Sequence, residues 1–370
     1  MNSSTGSKTR RLPRGPLMAD VAGLTLTGAE RLRLCHPLVG GVILFARNFS
    51  GSAQLKALTA EIHALRRPAL PIAVDHEGGR VQRFRTDEFT QLPAMRSLGE
   101  LWRVDREAAL ASAQAAGYVL ATDLLAHGVD LSFAPVLDLD YGMSRAIGSR
   151  AFHPDPAATT ELASAVAKGM AAAGMGGVGK HFPGHGFVEA DSHHEIPVDS
   201  RSFETLWDAD MLPYRGGLGT QLTGVMPAHV IYPEVAPEPA GFSPYWLQDV
   251  LRERVGFEGL VFSDDLNMEG AAWAGDIVGR ANAAWQAGCD MLLACNRPDV
   301  MDDLLARWQP APRPEALARI AALPCPGLAA PDQRAEDATY REACQRLATL
   351  DLLDAGPGMT AGSIGDQAVG

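Results

Sequence analysis

Residues 176–186 read Gly176-Gly177-Val178-Gly179-Lys180-His181-Phe182-Pro183-Gly184-His185-Gly186. An apolar run ends on two titratable side chains, then turns through Pro183, Gly184 and Gly186 into a polar loop. Seven other stretches follow the same pattern: 16–23, 40–46, 70–75, 129–139, 222–230, 259–266 and 289–295. Most are continuously apolar rather than alternating, as strands buried on both faces of a parallel sheet are. Between them, helical spacing runs over 53–66, 104–127, 156–173, 203–218, 243–254 and 272–287, with a further helix over 331–353. Eight strand–helix alternations with no obvious linker predict an α/β fold, a single-domain (β/α)8 barrel of the TIM type over 15–353. A doubly wound open sheet is the alternative that pattern leaves open. The polar segment 1–14 and the Gly-, Ala- and Ser-rich segment 354–370 read as disordered extensions.

The composition narrows the partners. The chain has 370 residues, 46% of them hydrophobic, enough for a sizeable core. A formal net charge of −12 argues against nucleic acid and anionic membrane surfaces. The five cysteines are odd in number and form no C-x-x-C, which suggests free thiols in a reducing compartment. The N-terminus lacks the apolar core of a secretory signal, and Arg10-Arg11 is followed by Pro13 to Gly15 instead of an apolar run. No stretch reaches ~18 uninterrupted apolar residues. The expectation is a cytoplasmic monomer acting on a small molecule, with no nucleic acid or membrane partner.

In a barrel of this kind, functional groups collect at the C-terminal ends of the strands. Those ends carry Asp75-His76-Glu77, Asp138, Lys180-His181, His229, Asp264-Asp265 and Asn296-Arg297. The spacing Gly174-x4-Gly179-Lys180 nearly spells a phosphate-binding loop. However, His181 replaces the required Ser or Thr and a helix precedes the glycines, so nucleotide binding is excluded. His181, His185, His193 and His194 invite a metal reading, but Pro183 and Gly184 interrupt the helix that an i,i+4 His pair needs. No metal and no cofactor are therefore expected. A metal-dependent barrel hydrolase using His181, His185 and His193 is the competing reading.

Asp191 and His193, two apart in a loop, can form a dyad in which the carboxylate fixes and charges the imidazole for proton transfer. Asp264 ends an apolar strand, where a carboxylate can act as a nucleophile or stabilise a cation. Asp265 reads as a helix N-cap. In Asp75 to Arg83, Gly78-Gly79 permits a tight turn, Asp75 can accept from sugar hydroxyls and Arg83 can donate. The competing reading there is that Glu77 pairs with Arg80 and merely shapes the loop.

Asp75 to Phe84, Gly148 to Phe152, Lys180 to Gly186, Asp191 to His193 and Phe262 to Ala271 occur in this order on successive strand ends. Together they make the chain, over roughly 16–350, resemble the bacterial β-N-acetylglucosaminidases of glycoside hydrolase family 3 that serve peptidoglycan recycling. The resemblance implies a (β/α)8 barrel and a retaining two-step reaction. Its substrate would be N-acetylglucosaminyl-1,6-anhydro-N-acetylmuramic acid, with or without its peptide. It also implies Asp264 as nucleophile, His193 as acid/base with Asp191 as its partner, and Asp75, Arg83, Arg150, Lys180 and His181 as sugar-binding residues. Some relatives with a His acid/base transfer the sugar to phosphate. The chain departs from many relatives at Phe187-Val188-Glu189-Ala190 and at His76, where Gln is common.

Overall fold

The computed structural model describes residues 10–189, 196–327 and 334–354. Every one of the eight apolar runs contains a strand: β1 Leu17–Asp20, β2 Val39–Leu44, β3 Ile72–Val74, β4 Leu131–Ser132, β5 Gly177–Phe182, β6 Leu222–Pro227, β7 Leu260–Val261 and β8 Leu292–Ala294. They form two parallel sheets. One is five-stranded in the order β8-β1-β2-β3-β4, and the other is three-stranded in the order β7-β6-β5. Leu292 is paired with Leu17, Met18 with Gly41, Val42 with Ile72 and Ala73 with Leu131. Gly177 is paired with Leu222 and Gly224 with Leu260. Parallel bridges at Val136–Lys180 and Phe262–Met291 link the two sheets edge to edge at both sides.

The continuous hydrophobicity has a direct cause: alternate residues of one strand enter different cores. Leu17 and Ala19, Val42 and Leu44, Ile72 and Val74, and Leu292 and Ala294 pack outward against helices. Met18, Ile43, Ala73, Val178, Phe262 and Leu293 meet one another in a separate cluster between the sheets. This parity positions the site. Two residues beyond Ala73, Val178 and Phe262 stand Asp75, Lys180 and Asp264, on the same side of the chain.

The long helices Arg106–Ala126 and Pro156–Ala172 cover one flank. Asp105 and Asp155 cap them, accepting from the amides of Ala108 and Ala158 at 2.9 and 2.8 Å. Their backbones come close because of two glycines. A Cβ on Gly117 would lie 2.0 Å from the Val166 carbonyl oxygen, and one on Gly169 2.0 Å from that of Gln114. Arg106–Ala126 is apolar and long enough on average to cross a bilayer, although no uninterrupted apolar run revealed it. Here Ala113, Ala116, Val119 and Leu120 are buried in the core shared with the neighbouring helix.

Several expected elements are altered. The helix expected over 104–127 starts after a break at Asp105, behind a separate helix Met95–Val104. The one expected over 203–218 stops at Asp208; Pro213, Gly216 and Gly217 lie beyond it. The one expected over 272–287 begins only at Ile277, because Gly275 adopts a φ of 81° and Asp276 caps the new start. Residues Tyr245–Arg254 wind as a wide π-type helix, and the C-terminal helix is Ala338–Asp354. Helices Gly28–Leu34, Pro298–Arg307 and Pro314–Ala322 were not anticipated. Residues 10–14 are not part of a disordered extension. Arg10–Arg11 pairs in parallel with Arg66–Arg67, and buried Arg14 donates to the carbonyls of Ala69 and Leu323 at 2.9 and 2.6 Å.

Candidate active site

At the C-terminal ends of the strands lies a pocket of about 610 Å³, counting its open mouth. Phe45, Phe133, Met226 and Leu293 make its apolar floor; Asp75, Glu77, Arg83, Arg150, Lys180, His181, His185, Asp264 and Asp265 supply its polar groups. All of the expected sugar-binding residues (Asp75, Arg83, Arg150, Lys180 and His181) thus meet in one place, together with the expected nucleophile Asp264. Asp191, His193 and His194 lie outside the described residues.

The polar groups are bonded in a chain. Lys180 Nζ donates to Asp75 Oδ1 at 2.6 Å and to Glu77 Oε1 at 2.7 Å. Arg150 grips Glu77 with two parallel bonds of 2.8 Å, Nε to Oε2 and Nη2 to Oε1, and gives a third, of 2.9 Å, to the Ala146 carbonyl. Arg83 Nη2 stands 3.7 Å from Asp75 Oδ2. Burial alone would raise the pKa of the Glu77 carboxyl, yet Arg150 and Lys180 beside it hold it far below the usual carboxylate range. Burial likewise disfavours the Lys180 ammonium, but Asp75 and Glu77 outweigh this and raise its pKa.

His181 has the opposite strand parity from Lys180 and still lines the pocket. Buried Asp138 holds it there, with Oδ2 2.6 Å from His181 Nδ1 and Oδ1 accepting from the amides of His181 and His185 at 3.2 and 2.7 Å. Arg150 Nη2 approaches His181 Nε2 at 3.5 Å, which fits a ring protonated on Nδ1. Burial would raise the Asp138 pKa, but His181 and His185 bring it below the ordinary value. With one ring nitrogen on Asp138 and the other facing a guanidinium, His181 is poorly disposed to ligate a cation. Burial, reinforced by His181, pushes the His185 imidazole down to about 4.

One competing reading falls and one expectation is corrected. Glu77 does not pair with Arg80, whose guanidinium donates to the carbonyls of Arg145 and Ala146 at 3.0 and 2.5 Å. The turn at Gly78 and Gly79, with φ of 104° and 53°, instead folds the hairpin His76–Gly78/Val81–Gln82 so that Glu77 reaches Arg150. Nor does Asp265 cap a helix. Its Oδ1 accepts from the amides of Asn267 and Cys295, both at 3.0 Å, and so braces the end of β7 against the end of β8. Its own amide donates to Asp264 Oδ1 at 2.8 Å and fixes that carboxylate. Burial, with Asp264 and Asp20 nearby, pushes the Asp265 carboxyl up to about 7. His76 is buried against Phe84 and Phe89, its pKa pushed down to about 3 by burial and by Arg85 and Arg83.

Sequence reasoning missed Asp138 as the support of His181 and the true partners of Glu77. In the sequence Asp138 reads only as a polar strand end. The spacing offered no signal for the Glu77–Arg150 pair, whose members are 73 residues apart.

Buried carboxylates facing lysine and arginine over an aromatic and aliphatic floor suit an uncharged polyhydroxylated ligand, which exchanges hydroxyl hydrogen bonds with both signs of charge. The comparisons agree. Residues 18–311 match the glycosyl hydrolase family 3 N-terminal domain. The beta-hexosaminidase of Aromatoleum aromaticum is 68% identical over 311 residues, covering 84% of this chain and 87% of that protein. The crystal structure of native NagZ from Neisseria gonorrhoeae superposes with a TM-score of 0.87 at 49% identity, covering 93% of this chain and 99% of that one. The same protein in complex with N-trifluoroacetyl-D-glucosamine gives 0.86 at 48% identity, covering 92% and 99%. The chain belongs to glycosyl hydrolase family 3 and is a glycoside hydrolase.

Proposed function

We propose that the chain is an exo-acting, retaining β-N-acetylglucosaminidase. It removes the non-reducing N-acetylglucosamine from N-acetylglucosaminyl-1,6-anhydro-N-acetylmuramic acid and its peptides, in the cytoplasm, as a step of peptidoglycan recycling. The β-hexosaminidase names of its relatives support the sugar class. The observation that carries the reading is Asp264, fixed by the Asp265 amide and facing the same pocket as Asp75, Lys180, Arg150 and His181.

In this reading Asp264 attacks the anomeric carbon while protonated His193, charged with the help of Asp191, gives its proton to the departing glycosidic oxygen. A glycosyl ester on Asp264 and a neutral His193 result. Water then attacks the same carbon, His193 takes its proton, and Asp264 leaves. Two inversions give net retention. The fold in this proposal is a single (β/α)8 barrel. Its support is a strand order that follows the sequence without the reversal of a doubly wound sheet, and the bridges that join both sheet edges.

The test is product analysis with the purified chain. β-N-acetylglucosamine as the first product, seen by NMR from both the aryl glycoside and the anhydro-disaccharide, with no need for phosphate and no loss on chelation, is the expected result. An α-anomer first product would overturn retention. Activity that vanishes with a chelator and returns with a metal would move the assignment to the metal-dependent alternative.

A further inference from the structure

We infer that Glu77 is the positioning residue of the sugar pocket: it sets the two cations that bind the sugar without touching the sugar itself. This inference rests on the pocket being the glycosidase site proposed above. Glu77 is 3% exposed. Oε1 accepts from both Lys180 Nζ and Arg150 Nη2, and Oε2 accepts from Arg150 Nε. Each oxygen is thus engaged by a cation. Three of the roughly four acceptor sites of the carboxylate are filled by cations, and the side chain is 2% exposed, so it is turned to Lys180 and Arg150 and not to the open space of the pocket.

The effect on the cations is geometric. An ammonium has three N–H donors. Asp75 and Glu77 take two from Lys180, so among the described residues the third remains for a ligand. A guanidinium is a rigid planar fork with five. Glu77 holds one edge of Arg150, the Ala146 carbonyl holds another donor, and His181 Nε2 lies at 3.5 Å, so the plane of Arg150 is determined. Because Oε1 is common to both cations, Lys180 and Arg150 are also fixed relative to each other. A carboxamide cannot do this. Its NH2 end would face an N–H of Arg150 or Lys180, and the loss of one negative charge would leave the two cations repelling.

Glu77→Gln, Lys180→Met and the double variant test this through catalysis of an aryl N-acetylglucosaminide, binding of N-acetylglucosamine and thermal unfolding. The expected result for Glu77→Gln is a loss of roughly tenfold or more in N-acetylglucosamine affinity, seen also as a raised KM, in a protein that remains folded. The loss in the double variant should be smaller than the product of the two single losses, since the part of Glu77's effect that runs through Lys180 is already absent and only the part that runs through Arg150 remains. Glu77→Asp, which keeps the charge, should recover part of the loss and gives the same readout if the Gln variant is unfolded. Losses that multiply in the double variant, or unchanged sugar affinity in a folded Glu77→Gln protein, would overturn the inference. An inactive wild-type chain that still binds N-acetylglucosamine would instead overturn the glycosidase reading, leaving the affinity comparison to judge Glu77.

Discussion

The two ends of the parallel strands both bury charge, and they use it differently. At the N-terminal ends, charged groups fasten the chain. Asp290 accepts from Arg252 at 2.8 Å, Arg319 at 3.1 Å and Arg313 at 3.4 Å, and from the Val261 amide at 3.0 Å. Arg66 donates to the carbonyls of Leu12, Pro13 and Val39. Asp130 ties His63, the Ile72 amide and the Gly327 amide together. At the C-terminal ends, Lys180, Glu77, Arg150 and Asp75 bond chiefly to other side chains around an open pocket. Charge bonded away from the pocket, to backbone or to other charge, holds the chain in place. Charge bonded to charge around a cavity holds donors and acceptors ready for a ligand.

The sharpest way to break this contrast is to remove one carboxylate from each end. Asp264→Asn should lower hydrolysis by ~10⁴-fold, the scale on which removal of a covalent catalyst acts, and leave the unfolding temperature near that of the parent. Asp290→Ala should do the reverse. Three guanidinium groups lose their common partner, so denaturant unfolding should show a loss of ~3–5 kcal/mol, while KM per folded molecule stays unchanged. A pocket defect in Asp290→Ala would mean that the two ends are coupled.

The pH dependence of stability sharpens the picture of the C-terminal end, where two buried groups act in opposite directions. Asp265 has its carboxyl raised to about 7, chiefly by burial. Its contribution is full below the ordinary carboxyl pKa and is lost as pH rises through about 7, since the native state then holds a proton that the unfolded chain has released. His76, lowered to about 3 chiefly by burial, behaves oppositely: its contribution is present above ~6.5 and is lost as pH falls toward about 3. Asp265→Asn should flatten the upper arm of a stability–pH curve and His76→Gln the lower arm. A curve unchanged in either variant would contradict the assigned cause. The smallest effect expected is at the exposed Arg145–Glu189 pair, 2.8 Å long. Arg145→Ala should change stability by no more than ~1 kcal/mol and lose even that in high salt.

How much was legible in the sequence follows from the range of each interaction. The eight strands were visible because each run is apolar on both faces, and both faces enter cores. Asp75, Lys180 and Asp264 were visible for the same reason, since parity carries inward-facing Ala73, Val178 and Phe262 to them. Helix boundaries were misread where a short-range signal was overlooked, as with the Asp105 cap and the Gly275 turn. The partners of Glu77 were not legible. Arg80 lies three residues away in sequence, and only the tertiary fold brings in Arg150 and Lys180 instead. Arg10–Arg11 looked like part of a polar extension because its pairing partner, Arg66–Arg67, lies far along the chain.

The central claim, a covalent glycosidase built on Asp264, is tested most directly by inactivating the protein with a 5-fluoro N-acetylglucosaminyl substrate, digesting it and mapping the labelled peptide. The account predicts one equivalent of sugar, attached to Asp264 and absent in Asp264→Asn. A label on any other residue, or turnover that never accumulates a labelled protein under conditions that trap other retaining glycosidases, would contradict it.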